Sequence, residues 1–308
     1  MTDDHPVPGD EARELVRGAY DVHVHIGPDV VGRRIDDLSL ARRCLEVGLA
    51  GFVLKSHYTS TAERASVVRA AVPGADVRGA LALNRAVGGM NPLAVEIAGR
   101  EGAHTVWMPT VDAENEAIGR SDPVPGEKVP VWAQLQRELR AAGTPVEPVP
   151  VVDADGAVLP ETVAVLETVA RHGMTLATGH LSTSEIFAVV DAAFDAGVTK
   201  VVVTHPDYPA QNISIEDQVA LAGKGALLER CFVQPYTGKC TWERWLEGTK
   251  AVGPEQTLLS TDLGQKKNPA VEDGLPLMAE RLLDAGFDTG QIHTMVENTR
   301  VLAGANAP

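Results

Sequence analysis

His23 and His25 stand two residues apart in Asp21-Val22-His23-Val24-His25-Ile26-Gly27-Pro28-Asp29. On an extended strand such residues point the same way, so the two imidazoles can chelate one ion. Three more runs of mostly apolar residues end in polar groups of the same kind: Thr178-Gly179-His180, Thr204-His205-Pro206 and Ser260-Thr261-Asp262. Neutral imidazole and carboxylate are the ligands of catalytic zinc sites, which keep a position open for water. Zn2+, as one or two ions, is therefore the expected cofactor, and Mn2+, Fe2+ or Ni2+ would suit the same nitrogen and oxygen donors. Such an ion lowers the pKa of its water toward about 7 and supplies hydroxide at neutral pH. Asp262, touching ion and water, is the expected proton shuttle.

These residues need elements that bring strand ends together. Short apolar runs alternate with amphipathic stretches along the chain, the pattern of βα units around a parallel sheet. The expected strands are Tyr20 to His25, Gly51 to His57, Val77 to Asn84, His104 to Met108, Thr175 to His180, Lys200 to His205, Ala226 to Cys231 and Thr257 to Asp262. Helical stretches are read at Asp37 to Val47, Thr61 to Val72, Pro92 to Arg100, Pro160 to His172, Thr183 to Ala196, Ile215 to Ala222, Trp242 to Ala251 and Leu275 to Ala285, with an added one at Gln291 to Ala303. Gly48, Gly173, Gly197 and Gly286 follow periodic stretches as C-caps do, and Ser182 with Glu185 forms a capping box. The count gives an α/β fold, a (β/α)8 TIM barrel, as one domain over residues 1–308. In such barrels the active site lies at the C-terminal ends of the strands, where all these ligands fall.

A proline-rich stretch over residues 109–149 follows strand four, with a short helical run from Val131 to Ala142 that carries Trp132. Its place after a strand makes it the expected lid or specificity element. Lys55 and His57 share one face of strand two, and an unpaired ammonium there would be costly to bury. Lys55 could be carboxylated and bridge two metals, hold a substrate carboxylate or oxyanion, or pair with Asp29 or Glu229. His57 is read as a contact to substrate or to a ligand, and Asn84, Glu229 and Arg230 as strand-end residues that could line the site. Lys266 and Lys267 would suit an anionic substrate or form a solvated turn, and Trp107, Trp242 and Trp245 are read as packing residues. No function is read into His5, His104, His172 or His293.

The net charge of −15 disfavours nucleic acid and anionic membrane surfaces, whose phosphates need clustered Lys and Arg. With 44% hydrophobic residues and no apolar run near the roughly 20 residues that span a bilayer, a globular cytoplasmic protein is expected. Its acidic start lacks the signature of a signal peptide. Three cysteines without CxxC spacing argue against disulfides and thiolate zinc sites. The expected partner is a small molecule, with an anionic one suited to the lysines, and a homo-oligomer is expected of such a barrel.

His-x-His ending strand one, single histidines ending strands five and six, and an Asp ending strand eight together resemble the amidohydrolase superfamily over essentially the whole chain. The runs Asp21 to Asp29, Leu54 to His57, Val106 to Thr110 and Ser260 to Gln265 resemble an uncharacterised branch of it. The resemblance implies that His23, His25 and Asp262 hold one metal, while His180 and His205 hold a second or assist a mononuclear site. It departs at strand four, where His104-Thr105-Val106-Trp107-Met108 offers neither the Lys nor the Glu that commonly bridges two metals. The leading expectation is a hydrolase that cleaves an amide, cyclic amide or lactone, acting on C–N bonds, with metal-bound hydroxide, Asp262, Lys55 and His205 in catalysis. The alternatives are a mononuclear metal-dependent decarboxylase or hydratase on the same scaffold, and a non-catalytic small-molecule-binding barrel.

Overall fold

The computed structural model describes residues 5–117, 121, 129–144 and 147–304. Eight parallel strands follow one another around the sheet in chain order: β1 Tyr20–Val24, β2 Gly51–Leu54, β3 Asp76–Ala82, β4 Ala103–Trp107, β5 Thr175–Ala177, β6 Val201–Val203, β7 Leu227–Cys231 and β8 Thr257–Ser260. Beyond the last strand the chain returns to the first: Asp262 N donates to His23 O and His25 N to Leu263 O, both at 2.8 Å. This is the (β/α)8 barrel that the alternation of runs predicts.

The helices are α1 Asp10–Leu15, α2 Asp37–Val47, α3 Ala62–Ala71, α4 Pro92–Arg100, α5 Val131–Ala141, α6 Pro160–Arg171, α7 Thr183–Asp195, α8 Ile215–Gly223, α9 Val233–Tyr236, α10 Trp242–Val252, α11 Val271–Asp284 and α12 Thr289–Ala303. Their starts follow side-chain chemistry: Asp36, Asn91, Ser182, Ser214, Thr241 and Asp288 each accept from a first-turn amide. Among the described residues no helix is long and apolar enough to cross a membrane.

The apolar residues divide by strand alternation. Tyr20, Val22, Val53, Ala80, Ala82, Trp107, Ala177, Val202 and Leu258 fill the barrel interior, closed at the bottom by Leu302 and Ala303 of α12. Their neighbours Val24, Phe52, Leu54, Leu176, Val203, Leu228 and Leu259 pack outward against the helices. At β1 the register shifts between Asp21 and Val24. This irregularity lets Val22 point inward while Val24 points outward, and so turns both flanking histidines, His23 and His25, into the barrel.

The ladders stop earlier than the sequence implies. His25, His57, Asn84, His180, His205 and Asp262, expected as the last residues of strands, and Lys55, expected within strand two, all lie beyond the final strand residue of their segment. The backbone leaves extended conformation there, with φ of +24° at His205 and +52° at Asp262, a region that side chains with a Cβ seldom adopt. Gly264, at φ +125°, completes the turn after β8: a Cβ at this position would lie 1.6 Å from His25 O.

Candidate metal centre

His23 is fully buried and both of its ring nitrogens are engaged. Nδ1 lies 3.0 Å from Glu229 Oε1, while Nε2 lies 3.3 Å from Asp262 Oδ1 and 2.9 Å from Lys55 Nζ. His25 presents its Nε2 to the same Asp262 oxygen at 3.2 Å. The ligand atoms of His23, His25 and Asp262 all fall within 4.8 Å of one another. Glu229 accepts from Ser260 Oγ at 2.8 Å and from His205 N at 3.3 Å, so its carboxylate is fixed from three sides. Placed behind Nδ1, it holds the proton there and frees the Nε2 lone pair, the arrangement that orients metal-binding imidazoles. Burial alone would raise the Glu229 carboxyl, but its interaction and hydrogen bond with His23, together with the nearby His205 and Lys55, bring it down to about 2. Asp262 is likewise held well below the usual carboxylate range, because His23, His25 and Lys55 outweigh burial. Its Oδ2 accepts from Gln234 Nε2 at 2.9 Å.

Across the mouth, the rings of His180 and His205 are 5.0 Å apart, and His205 stacks on His23 at 6.1 Å. His180 Nδ1 lies 3.0 Å from Glu116 Oε2, and His205 Nδ1 lies 3.4 Å from Gln211 Nε2. Among the described residues neither Nε2 has a hydrogen-bond partner. His57 stacks on His25 at 4.7 Å, with Nδ1 2.8 Å from Thr110 Oγ1. Burial drives the pKa of His25, His57, His180 and His205 well below 6.5.

These shifts carry a consequence for stability. Below pH 6.5 the unfolded chain protonates five histidines that the folded chain keeps neutral, these four and His104, which burial lowers to about 4. Asp21, raised to about 7 by burial despite its hydrogen bonds to Thr261, opposes them by one proton. The metal-free protein is expected to lose stability from pH 6.5 toward pH 5, each net proton being worth about 1.4 kcal/mol per pH unit. Urea denaturation at several pH values measures this, and a flat profile would count against neutral buried histidines.

Among the expected site residues, His23, His25, His57, His180, His205, Asp262 and Lys55 come together at this end of the barrel. Lys55 is buried and forms no ion pair among the described residues: Asp29 is taken by Arg33 Nε at 2.7 Å, and Glu229 faces His23, Ser260 and His205. Three expectations need correction. Arg230 points out of the barrel, donating to Asp207 at 2.6 Å and Gln218 at 2.7 Å, because its neighbour Glu229 takes the inward face and successive strand residues alternate. Glu229 is buried and engaged by His23, Ser260 and His205 N, so it orients His23 from behind instead of lining the opening. Asn84 is fully buried and braces backbone, donating to His57 O and accepting from the amides of Thr110 and Asp112. Lys266 and Lys267 are exposed.

Other participants carry no signal of spacing. Glu116 belongs to the proline-rich segment after β4, as do Asn115, which donates to His180 O at 3.2 Å, and Trp132, whose ring lies 6.3 Å from that of His180. Expected prolines of that segment at 123, 125 and 145 lie outside the described residues. Tyr208 packs its ring 4.9 Å from His205 and 5.4 Å from His180. Cys231 lies 3.9 Å from His23 Nδ1, but burial pushes its thiol up and Ser260 Oγ holds it at 3.1 Å, beneath the site.

Solved structures share this architecture. An amidohydrolase from Pseudomonas aeruginosa superposes with a TM-score of 0.58 at 13% identity, covering 95% of this chain and 99% of that one. The probable dipeptidase PvdM from Pseudomonas aeruginosa gives 0.55 at 11%, covering 95% and 96%, and the organophosphorus hydrolase from Deinococcus radiodurans 0.52 at 14%, covering 97% and 99%. These likenesses assign the fold alone, a (β/α)8 TIM barrel. No curated protein matches the sequence. At the level of sequence the profile of a family of unknown function, DUF6282, matches residues 18–229, and the chain belongs to that family.

Proposed function

We propose that this chain is a metal-dependent hydrolase that opens an amide, cyclic amide or lactone of a small molecule. The observation that carries the reading is the convergence of His23 Nε2 and His25 Nε2 on one oxygen of Asp262, with Glu229 behind His23. The donor set fits a divalent ion of the zinc type: two buried imidazole nitrogens and an ionised, partly exposed carboxylate oxygen, with Glu229 behind Nδ1 of one imidazole to orient its Nε2 toward the ion. His180 and His205, each anchored through Nδ1, would complete that site or hold a second ion. The titles of the superposed structures, an amidohydrolase, a probable dipeptidase and an organophosphorus hydrolase, agree with this class of reaction.

When bound, such an ion supplies Lewis acidity and a water of lowered pKa. The chain supplies the rest. Asp262, oriented through Oδ2 by Gln234, accepts the proton of the attacking water and returns it to the leaving nitrogen or oxygen. Lys55, a buried ammonium without a carboxylate partner, is placed to hold the carbonyl oxygen as negative charge develops on it. The segment after β4, through Glu116 and Trp132, shapes the opening and is the specificity element.

A second reading, a decarboxylase or hydratase with one metal, draws on β4: Trp107 fills its end 5.4 Å from the His23 ring, where two-metal relatives place a bridging ligand. The test is a panel of N-acyl amino acids, cyclic amides and lactones offered to zinc-loaded protein. Hydrolysis that a chelator abolishes and zinc restores is expected. Turnover indifferent to chelation would overturn the proposal, and release of carbon dioxide without hydrolysis would favour the second reading.

A further inference from the structure

Several cations stand at the barrel mouth. Arg33 is locked to Asp29 and Lys55 donates toward His23 Nε2. Lys239 is different. It sits in the turn after α9, where Gly238 takes φ +73° and Lys239 N donates to Gln234 O at 2.8 Å. Gln234 is the residue that holds Asp262, so this turn hangs directly over the site. The Lys239 ammonium is half-buried, and among the described residues it forms no ion pair. Its contacts are the Tyr208 hydroxyl at 3.4 Å and the face of the Tyr208 ring, 4.5 Å to the centroid. Tyr208 in turn packs between His180 and His205. A lysine pulled from water pays in solvation, and a tyrosine face returns only part of that. The carboxylates of Asp262 and Glu116 favour its charge from farther off.

We propose that Lys239 and Tyr208 form the receptor for a carboxylate carried by the substrate, one tyrosine ring away from His205, so that the protein selects amides or lactones bearing an acid group near the bond to be cut. This rests on the hydrolase reading for the bond that is cut, but the anion site itself stands on geometry alone. Lysine provides a point charge with rotatable donors, and the buried Tyr208 hydroxyl beside it is a second donor. Burying the carboxylate against both would satisfy the ammonium that the protein itself leaves unmatched.

The test compares N-acetylglycine with its neutral counterpart N-acetylglycinamide, titrated by calorimetry into zinc-loaded wild-type, Lys239→Met and Lys239→Arg proteins. Wild-type is expected to bind the acid at least about tenfold more tightly, the effect of one charged hydrogen bond. Lys239→Met should abolish that difference at unchanged metal content, and Lys239→Arg should keep most of it. Equal affinity for the two probes, failure to bind the acid, or a preference that survives Lys239→Met would each overturn the proposal. Charge preference without hydrolysis of either probe leaves the anion site standing and counts against the hydrolase reading. Hydrolysis without charge preference does the reverse.

Discussion

Asp262→Asn protein should fold, retain most of its metal and lose about a hundred- to ten-thousandfold in kcat, the range set by removing a general acid–base group. The substitution keeps an oxygen at Oδ1, where His23 Nε2 and His25 Nε2 converge, so the ligand geometry survives. At Oδ2 an amide NH2 would meet the Gln234 Nε2 donor, a repulsion that a flip of the Gln234 side chain relieves, because its Oε1 is buried without a partner. What is lost is the carboxylate's capacity to take up a proton. Steady-state kinetics on the best substrate of the panel, with elemental analysis of the same sample, separates the two properties. Retained turnover would remove Asp262 from its role as proton shuttle, whereas loss of metal together with turnover would make it a ligand first.

The barrel was legible because its signal is repeated: eight apolar runs, each followed by an amphipathic stretch, leave few alternatives. The strand ends were less so. Polar residues such as His180 and Asp262 continue the apolar runs in sequence, yet the ladder ends at Ala177 and Ser260, and only the backbone turns at Gly179, His205 and Asp262 reveal the break. The same limit explains why His23 and His25 both face inward: a register shift in β1, invisible in residue types, sets their side. Alternation could have separated Glu229 from Arg230, since adjacent strand residues cannot both line a barrel. Glu116, Gln211, Gln234 and Tyr208 had no periodic context at all, as they sit in loops and in a one-turn helix whose positions depend on the finished barrel. Lys239 was unreadable for the same reason: what marks it is the absence of an ion-pair partner, and absence of a contact has no sequence pattern.

The central claim is that His23, His25 and Asp262 hold an ion, and His25 gives the cleanest handle on it. Removing His23 would strand the buried Glu229 carboxylate, with a cost to the fold that would confuse the result. Among the described residues His25 Nδ1 has no hydrogen-bond partner, so His25→Ala removes only its approach to Asp262 and its ring contacts with His57 and His23. Loss of one of the imidazole ligands opens the coordination sphere, and such an ion should then be lost on dialysis. His172, paired with Glu96 on the outside of the barrel, supplies the control. The measurement is metal content per chain, by elemental analysis of protein purified without chelator, for wild-type, His25→Ala and His172→Ala. At least about one ion per chain is expected in wild-type and in the control, and about one ion fewer per chain in His25→Ala. A metal-free wild-type protein, or a His25→Ala protein with its full metal content, would contradict that claim.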